Sequence, residues 1–222
     1  DDTGNKRRTK YWTRIAANSN GDFIITWRDS RTNSNNDIFA QRFDNNGVAQ
    51  GPNFLVNDDG GTNTHSTPDV AMDNARNAVV SWYDDRNGNY DVFAQKYDAT
   101  GLPQGGNFLI SDDAGSANQY LTTITMDPEG NFVIAWYDER NSDDSTGDIY
   151  ARRYDGTGLP IDSSFPVNDE FGSNDHYWPQ IAGASNGDFV ISWHDARNGN
   201  WDIYAQRYNN AGIAQGANFI AN

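Results

Sequence analysis

The chain has 222 residues, a net charge of −15, 36% hydrophobic and 13% aromatic residues, and no cysteine. Its length suffices for a substantial core in one domain. The acidity argues against a phosphate-backbone partner and against adsorption to anionic lipid, since both need clustered Lys and Arg. Without cysteine there is no disulfide, thiolate metal site or cysteine nucleophile, and no apolar run is long enough to insert into a membrane as a helix.

The chain starts at Asp1-Asp2 without an initiator methionine or signal peptide, which points to a mature or excised piece of a longer protein. Its one basic run, Lys6-Arg7-Arg8, reads as a solvated loop. Phe23 to Trp27 then reads as a strand, with Phe23, Ile25 and Trp27 on one face and Ile24 and Thr26 on the other. Neither face is charged, so burial on both sides is expected. The turn Trp27-Arg28-Asp29-Ser30-Arg31 follows, and then a strand DIFAQRF from Asp37, with Phe39 and Phe43 in a stripe.

The same order returns three more times. In the second copy, Pro68–Met72, Ala78–Trp82, Val92–Tyr97 and Asn107–Ile110 read as four strands separated by turn-forming stretches. The third copy has Trp136-Tyr137-Asp138-Glu139-Arg140 and DIYARRY from Asp148, with an insertion at Asp143-Asp144-Ser145-Thr146. The fourth has Trp193-His194-Asp195-Ala196-Arg197 and DIYAQRY from Asp202. The motif tryptophans are 55, 54 and 57 residues apart, which is the spacing of a repeat architecture. No copy contains a 3.6-residue period long enough for a helix.

Four antiparallel strands per repeat predict an all-β fold: a β-propeller of four four-stranded blades forming a single domain over 1–222. The repeats fall at approximately 11–66, 67–120, 121–177 and 178–222, with 1–10 as an inter-blade loop. The two ends are in phase, so the blades either close a ring or belong to a larger propeller or extended array. Thr26, Ser81, Ala135 and Ser192 keep one face small, as close sheet packing requires.

The stretch NGDFIITWRDSR…NDIFAQRFD resembles a TolB-type propeller blade, and W-x-D-x-R-N-G-N-x-D-I-Y-A-Q-R-Y-D is similar to tandem repeats of secreted and cell-surface bacterial proteins. The resemblance covers nearly the whole chain. It implies an extracellular or surface-attached repeat domain used for binding or assembly. The fold alone does not decide the activity.

Residues present in every copy build the copy, so function is sought where the copies differ. Tyr11-Trp12, Ser66-Thr67, Tyr120-Leu121 and Tyr177-Trp178 precede the first strands, while Tyr90 and Trp201 stand where Asn36 and Gly147 stand elsewhere. Exposed Trp and Tyr stack on sugar rings, so Tyr11, Trp12, Tyr90, Tyr177, Trp178 and Trp201 are the ligand-binding candidates; the alternative is that they fill gaps between blades. Asp84, Asn87, Asn89 and Asp91, and likewise Asp195, Asn198, Asn200 and Asp202, have Ca²⁺-like oxygen spacing. However, Arg86 and Arg197 interrupt each set, and Asp–Arg pairing across the turn is the favoured reading. Asp58-Asp59, Asp112-Asp113 and Asp169-Glu170 read as turn chemistry.

Arg31, Arg86, Arg140 and Arg197 read as structural ion pairs, and the sialidase motif S-x-D-x-G-x-T-W is absent. His65, His176 and His194 read as surface or turn residues, and none has zinc-ligand spacing. The expectation is therefore a non-catalytic module that binds a glycan or a surface protein, with self-assembly as a purely structural alternative and no resident cofactor. A glycoside hydrolase is the other alternative. It would need two carboxylates on one face, for which Glu139, Glu170 and Asp175 are candidates.

Overall fold

The computed structural model describes residues 9–31, 36–60, 63–113, 115–141, 146–170 and 174–222. Asp1-Asp2, Lys6-Arg7-Arg8 and Asp143-Asp144-Ser145 lie outside them. The described residues form four sheets of four antiparallel strands and no helix.

Blade 1 holds β1 (Lys10–Ala17), β2 (Phe23–Asp29), β3 (Asp37–Phe43) and β4 (Phe54–Leu55). Blade 2 holds β5 (His65–Met72), β6 (Ala78–Asp84), β7 (Asp91–Tyr97) and β8 (Phe108–Leu109). Blade 3 holds β9 (Gln119–Met126), β10 (Phe132–Asp138), β11 (Asp148–Tyr154) and β12 (Phe165–Pro166). Blade 4 holds β13 (His176–Gly183), β14 (Phe189–Asp195), β15 (Asp202–Tyr208) and β16 (Phe219–Ile220). Strands pair in chain order within every blade, as a meander with short turns allows.

The alternation read from the sequence divides β6 and β10 between two neighbouring blades, whereas β2 and β14 meet a neighbour on one face. Ile24, with Ile38, Ala40 and Val56, packs against Val70, Val80, Trp82 and Phe93 of blade 2. Val79, Val92, Ala94 and Ile110 meet Ile134, Trp136 and Tyr150 of blade 3 in the same way. Val133, Ala135, Ile149 and Val167 then meet Ile191 and Trp193 of blade 4. The small residues Thr26, Ser81 and Ala135 are fully buried, so the sheets approach closely where side chains are short.

Each motif aspartate is the polar centre of its blade. Asp84 accepts from Trp82 Nε1 at 2.8 Å and from Arg86 Nη2 at 2.7 Å, and the Arg86 guanidinium lies 4.2 Å from the centre of the Phe93 ring. Asp29 with Trp27 and Arg31, Asp138 with Trp136 and Arg140, and Asp195 with Trp193 and Arg197 repeat the arrangement. The arginines are thus structural, as expected. They also reach back one blade: Arg86 to Asp58 (3.2 Å), Arg140 to Asp112 (3.2 Å) and Arg197 to Asp169 (2.8 Å). The Asp58, Asp112 and Asp169 side chains or amides also bond to Asn107, Ser164 and Asn218 of the following blade.

Burial pushes the Asp195 carboxyl up, but hydrogen bonds from Arg197 and Trp193 outweigh it and hold the pKa below the usual value. Asp29 and Asp112 are lowered by the same contest between burial and their donors. A folded pKa below the unfolded one gives stability that is complete above about pH 4 and is lost as pH falls through the folded value. Burial raises Asp37 and Asp69, which act in the opposite sense. Urea midpoints followed from pH 7 to pH 2.5 should hold to about pH 4 and then fall. An Asp195→Asn variant, weaker at neutral pH, should fall less steeply; an unchanged slope would remove Asp195 from the acid response.

Candidate functional site

At one end of the blades the four inner strands share a backbone irregularity. The register of β1 with β2 shifts between Tyr11 and Arg14, and the shift recurs after Ser66, after Tyr120 and after Tyr177. The residue just past it is left-handed in every blade: Trp12 at φ 55°, Thr67 at 41°, Leu121 at 56° and Trp178 at 54°. Positive φ is costly for bulky or β-branched side chains, and bulges re-aim side chains next to functional sites. The variable pairs, expected ahead of the first strands, therefore lie inside them, because a bulge lets the strand start earlier than the apolar run suggests.

Residues opposite these bulges form the rest of the mouth. Tyr11 pairs with Arg28, Ser66 with Tyr83, Tyr120 with Tyr137 and Tyr177 with His194. The rings run in an unbroken path over all four blades. Trp12 stacks on Trp178 (5.9 Å between ring centres), Trp178 meets Tyr177 (5.5 Å), and Tyr177 meets Tyr137 (4.9 Å). Tyr137 meets Tyr120 (4.7 Å), Tyr120 meets Tyr83 (5.9 Å), and Tyr83 meets Tyr90 (5.2 Å). Four of the six candidate aromatics, Trp12, Tyr90, Tyr177 and Trp178, lie on this path. Trp201 packs beside His194 (6.3 Å), next to the path rather than on it. Tyr11 is exposed at the blade 1 position equivalent to Tyr177.

Polar groups converge on the same mouth. Tyr120 Oη donates to Glu139 Oε1 at 2.8 Å, and Asn118 Nδ2 donates to Glu139 Oε2 at 2.9 Å. Arg28 Nη1 donates to Ser66 Oγ at 2.9 Å. Three buried polar atoms there have no hydrogen-bond partner: Arg28 Nε, Thr67 Oγ1 and Asp175 Oδ1. Burying such groups unpaired costs about 1–3 kcal/mol each, so they mark where a ligand would restore hydrogen bonds. Burial raises the Asp175 carboxyl, and the nearby Glu139 charge adds to the shift. Burial, with Glu139 as acceptor, keeps the Tyr120 phenol firmly protonated, as does burial for Tyr137.

Sequence reasoning passed over Tyr83, Tyr137 and Arg28. They occupy the middle position of W-x-D, which varies as Arg, Tyr, Tyr and His, and that variation was the available signal. Gly147 belongs to the same group. A Cβ placed there would lie 2.3 Å from the Tyr137 ring, so Tyr137 takes the space that Tyr90 and Trp201 fill in blades 2 and 4. Gly147→Ala should displace Tyr137 and cost about 1–3 kcal/mol from overpacking. Near-ultraviolet circular dichroism would register the disturbed tyrosines, and an unaltered spectrum would contradict the packing argument.

The other candidates go elsewhere. His65 and His176 are fully buried on inner strands, not in surface loops. They sit in the slot that Lys10 and Gln119 fill in the other blades, with Nε2 of His176 3.5 Å from Asp195 and Nε2 of His65 3.0 Å from Asp59. Their sequence context hid this, because the apolar run that signals the strand begins only after the bulge. His194 is exposed, as expected. In the Asn-rich turns, Asn87 and Asn89 donate to Asp91, Asn198 and Asn200 donate to Asp202, and Asp84 and Asp195 are held by Trp and Arg. These carboxylates face N–H donors, which is the turn chemistry favoured above. No group of three His, Cys, Asp or Glu among the described residues is placed to hold a metal.

A cavity of about 390 Å³ lies at the opposite end, between blades 3 and 4. Of its three lining acids, Asp127 already accepts from Glu129 and Asn131 of its own turn and Asp188 from Asn186 and Asn210, so the aromatic mouth is the better candidate.

No protein-family model matches this sequence, and no curated protein matches it. Solved structures share the fold. A protein of unknown function from Dyadobacter fermentans aligns with TM-score 0.68 and 10% identity over 97% of this chain and 70% of its own. The Hadza microbial sialidase Hz136 gives TM-score 0.62 and 14% identity, over 88% of this chain and 44% of that one. The GH93 α-L-arabinofuranosidase of Fusarium graminearum, in complex with arabinobiose, gives 0.62 and 11%, over 95% and 66%. The chain therefore spans from under half to about two thirds of these sugar-active enzymes. At such identity the likeness concerns the fold: an all-β propeller architecture of four four-stranded blades.

Proposed function

We propose that the aromatic mouth binds carbohydrate and does not cleave it, as a recognition module of an extracellular or cell-surface protein. The observation carrying this reading is one path of rings in contact over four blades, stacked at Trp12–Trp178 and tilted or edge-on elsewhere, with three orphaned polar atoms beside it. Sugar rings offer apolar faces to such platforms and hydroxyls to such donors and acceptors. Glu139 has both oxygens engaged, and the Tyr120 phenol is held protonated, the opposite of what a nucleophile needs. The sugar-active names of several fold neighbours favour a carbohydrate over other ligands.

Binding to a broad glycan array, with calcium and again with chelator, tests the reading. Selective binding that disappears in Trp178→Ala, with the fold intact, is the expected result. Alanine keeps the Cβ, so the backbone strain at φ 54° is unaltered and only the platform is lost. Loss with chelator would bring calcium into the site, and a blank array would end the carbohydrate reading.

A second reading, glycoside hydrolysis, rests on Asp175, whose raised carboxyl beside Glu139 suits a general acid. It predicts hydrolysis of a bound glycan that Asp175→Asn abolishes while the variant still binds detectably. Intact glycan after prolonged incubation would reject it.

A further inference from the structure

The blade faces turned toward a neighbour carry one set of side chains, and at the two ends of the array that set is uncovered. Ile24, Thr26, Ile38 and Ala40 of blade 1 are fully buried by blade 2, and the equivalent residues of blades 2 and 3 are likewise buried. In blade 4 the same positions are Val190, Ser192, Ile203 and Ala205, and the first three are half-exposed. At the other end Ile15 is 64% exposed, whereas its equivalents Val70 and Ile124 are 4% and 6% exposed. Phe23, Ile25 and Trp27 are half-exposed, where Ala78, Val80 and Trp82 are buried.

The polar links stop at the same places. Arg42 donates to the backbone oxygens of Asp98 and Ala99 in the next blade's hairpin, Lys96 donates to Gly156 O, and Arg153 donates to Asn210 O and Ala211 O. Arg207 holds that position in blade 4, is exposed, and has no such acceptor among the described residues. In blade 1, Arg31 donates to Asn53 of its own blade at 2.7 Å, as Arg86 and Arg140 do to Asn107 and Ser164, but Arg86, Arg140 and Arg197 also reach the preceding blade's aspartate.

We propose that the blade 4 face formed by Val190, Ser192, Ile203, Ala205 and Arg207 is a docking surface, and that its occupant is a further blade of the same W-x-D-x-R repeat. The argument is continuity with three interfaces already formed. The apolar half of the seat matches what blades 1, 2 and 3 present, and Arg207 supplies the cation that a following hairpin's carbonyls accept. Blade 1 presents the complementary half, lacking only a preceding aspartate for Arg31. The inference is independent of what the aromatic mouth binds.

The absence of native cysteine makes the test direct. Ser192→Cys in the 222-residue chain places one thiol on the uncovered face. A second protein carries the same thiol and, after Asn222, a copy of residues 58–111; Asn222 is the register equivalent of Asn57, so the copy continues in phase. Labelling by a maleimide should be on the order of a hundredfold slower in the extended protein, approaching the rate of Ser81→Cys, whose site is fully buried. Arg207→Ala should restore fast labelling in the extended protein and leave the shorter one unaffected. Equal labelling in both proteins would overturn the proposal, because the copy folds against the same chemistry in its native place. Concentration-dependent protection of the unextended chain, with no added protection from the copy, would make the occupant a second molecule and overturn it too.

Discussion

Asp138→Ala is expected to lower the unfolding free energy by about 3–5 kcal/mol, the usual cost of removing one partner of a buried pair. The carboxylate is fully buried and accepts from Trp136 Nε1 at 2.7 Å and Arg140 Nη2 at 2.6 Å. It also accepts from the backbone N–H of Arg140 at 2.9 Å, which fixes the turn. Alanine leaves an indole N–H and a guanidinium without their acceptor, while Asp112 and the face of Tyr150 still hold the arginine in place. The charge thus remains in a partly desolvated site instead of moving to water, and that is the source of the large penalty. Urea denaturation of the variant measures it; a loss under about 1 kcal/mol would show that Asp112 and the aromatic ring suffice to hold the motif.

Trp82→Ala should be equally damaging, at about 3–5 kcal/mol, whereas Trp27→Ala should cost roughly half as much or less, since less area leaves water at that site. The two tryptophans occupy the same position in consecutive blades and make the same bond to the motif aspartate, at 2.8 Å and 3.1 Å. Trp82 is fully buried between blades 1 and 2, packed among Ile24, Val80 and Phe93. Trp27 lies on the outward side of blade 1 and keeps part of its surface exposed. Removing Trp82 opens a void lined by two sheets that cannot collapse; removing Trp27 opens a notch that water can fill. Equal losses in the two variants would mean that the outward face of blade 1 is covered in solution.

The fold was legible because every copy obeyed one local grammar. Alternation in Phe23–Trp27 and its counterparts marked the two strand faces, both buried in blades 2 and 3 and one of them in blades 1 and 4, and the Asp–Arg turns marked the strand ends. Four strands per copy followed, and the structure has them in that order. The site was legible only in part. Trp12, Tyr90, Tyr177 and Trp178 stood out because they break the repeat, and they do meet on one path. Tyr83, Tyr137 and Arg28 escaped because they sit inside a motif whose flanking residues are constant. The buried histidines escaped for another reason: a bulge separates His65 and His176 from the apolar run of the same strand, so hydropathy ends the strand too soon. Long-range proximity, such as Asp69 of blade 2 accepting from the Ile124 N–H of blade 3, has no trace in local pattern at all.

The left-handed residue in each inner strand makes the mouth rewritable. Trp12, Thr67, Leu121 and Trp178 share one backbone conformation while presenting two indoles, a hydroxyl and an aliphatic chain. The frame therefore offers four equivalent sockets, each accepting a ring, a hydroxyl or an aliphatic group while the interfaces behind it stay untouched. Recognition and folding are written in separate alphabets here. A chain with the same tryptophans, aspartates and arginines could change what it recognises by exchanging a single letter per blade.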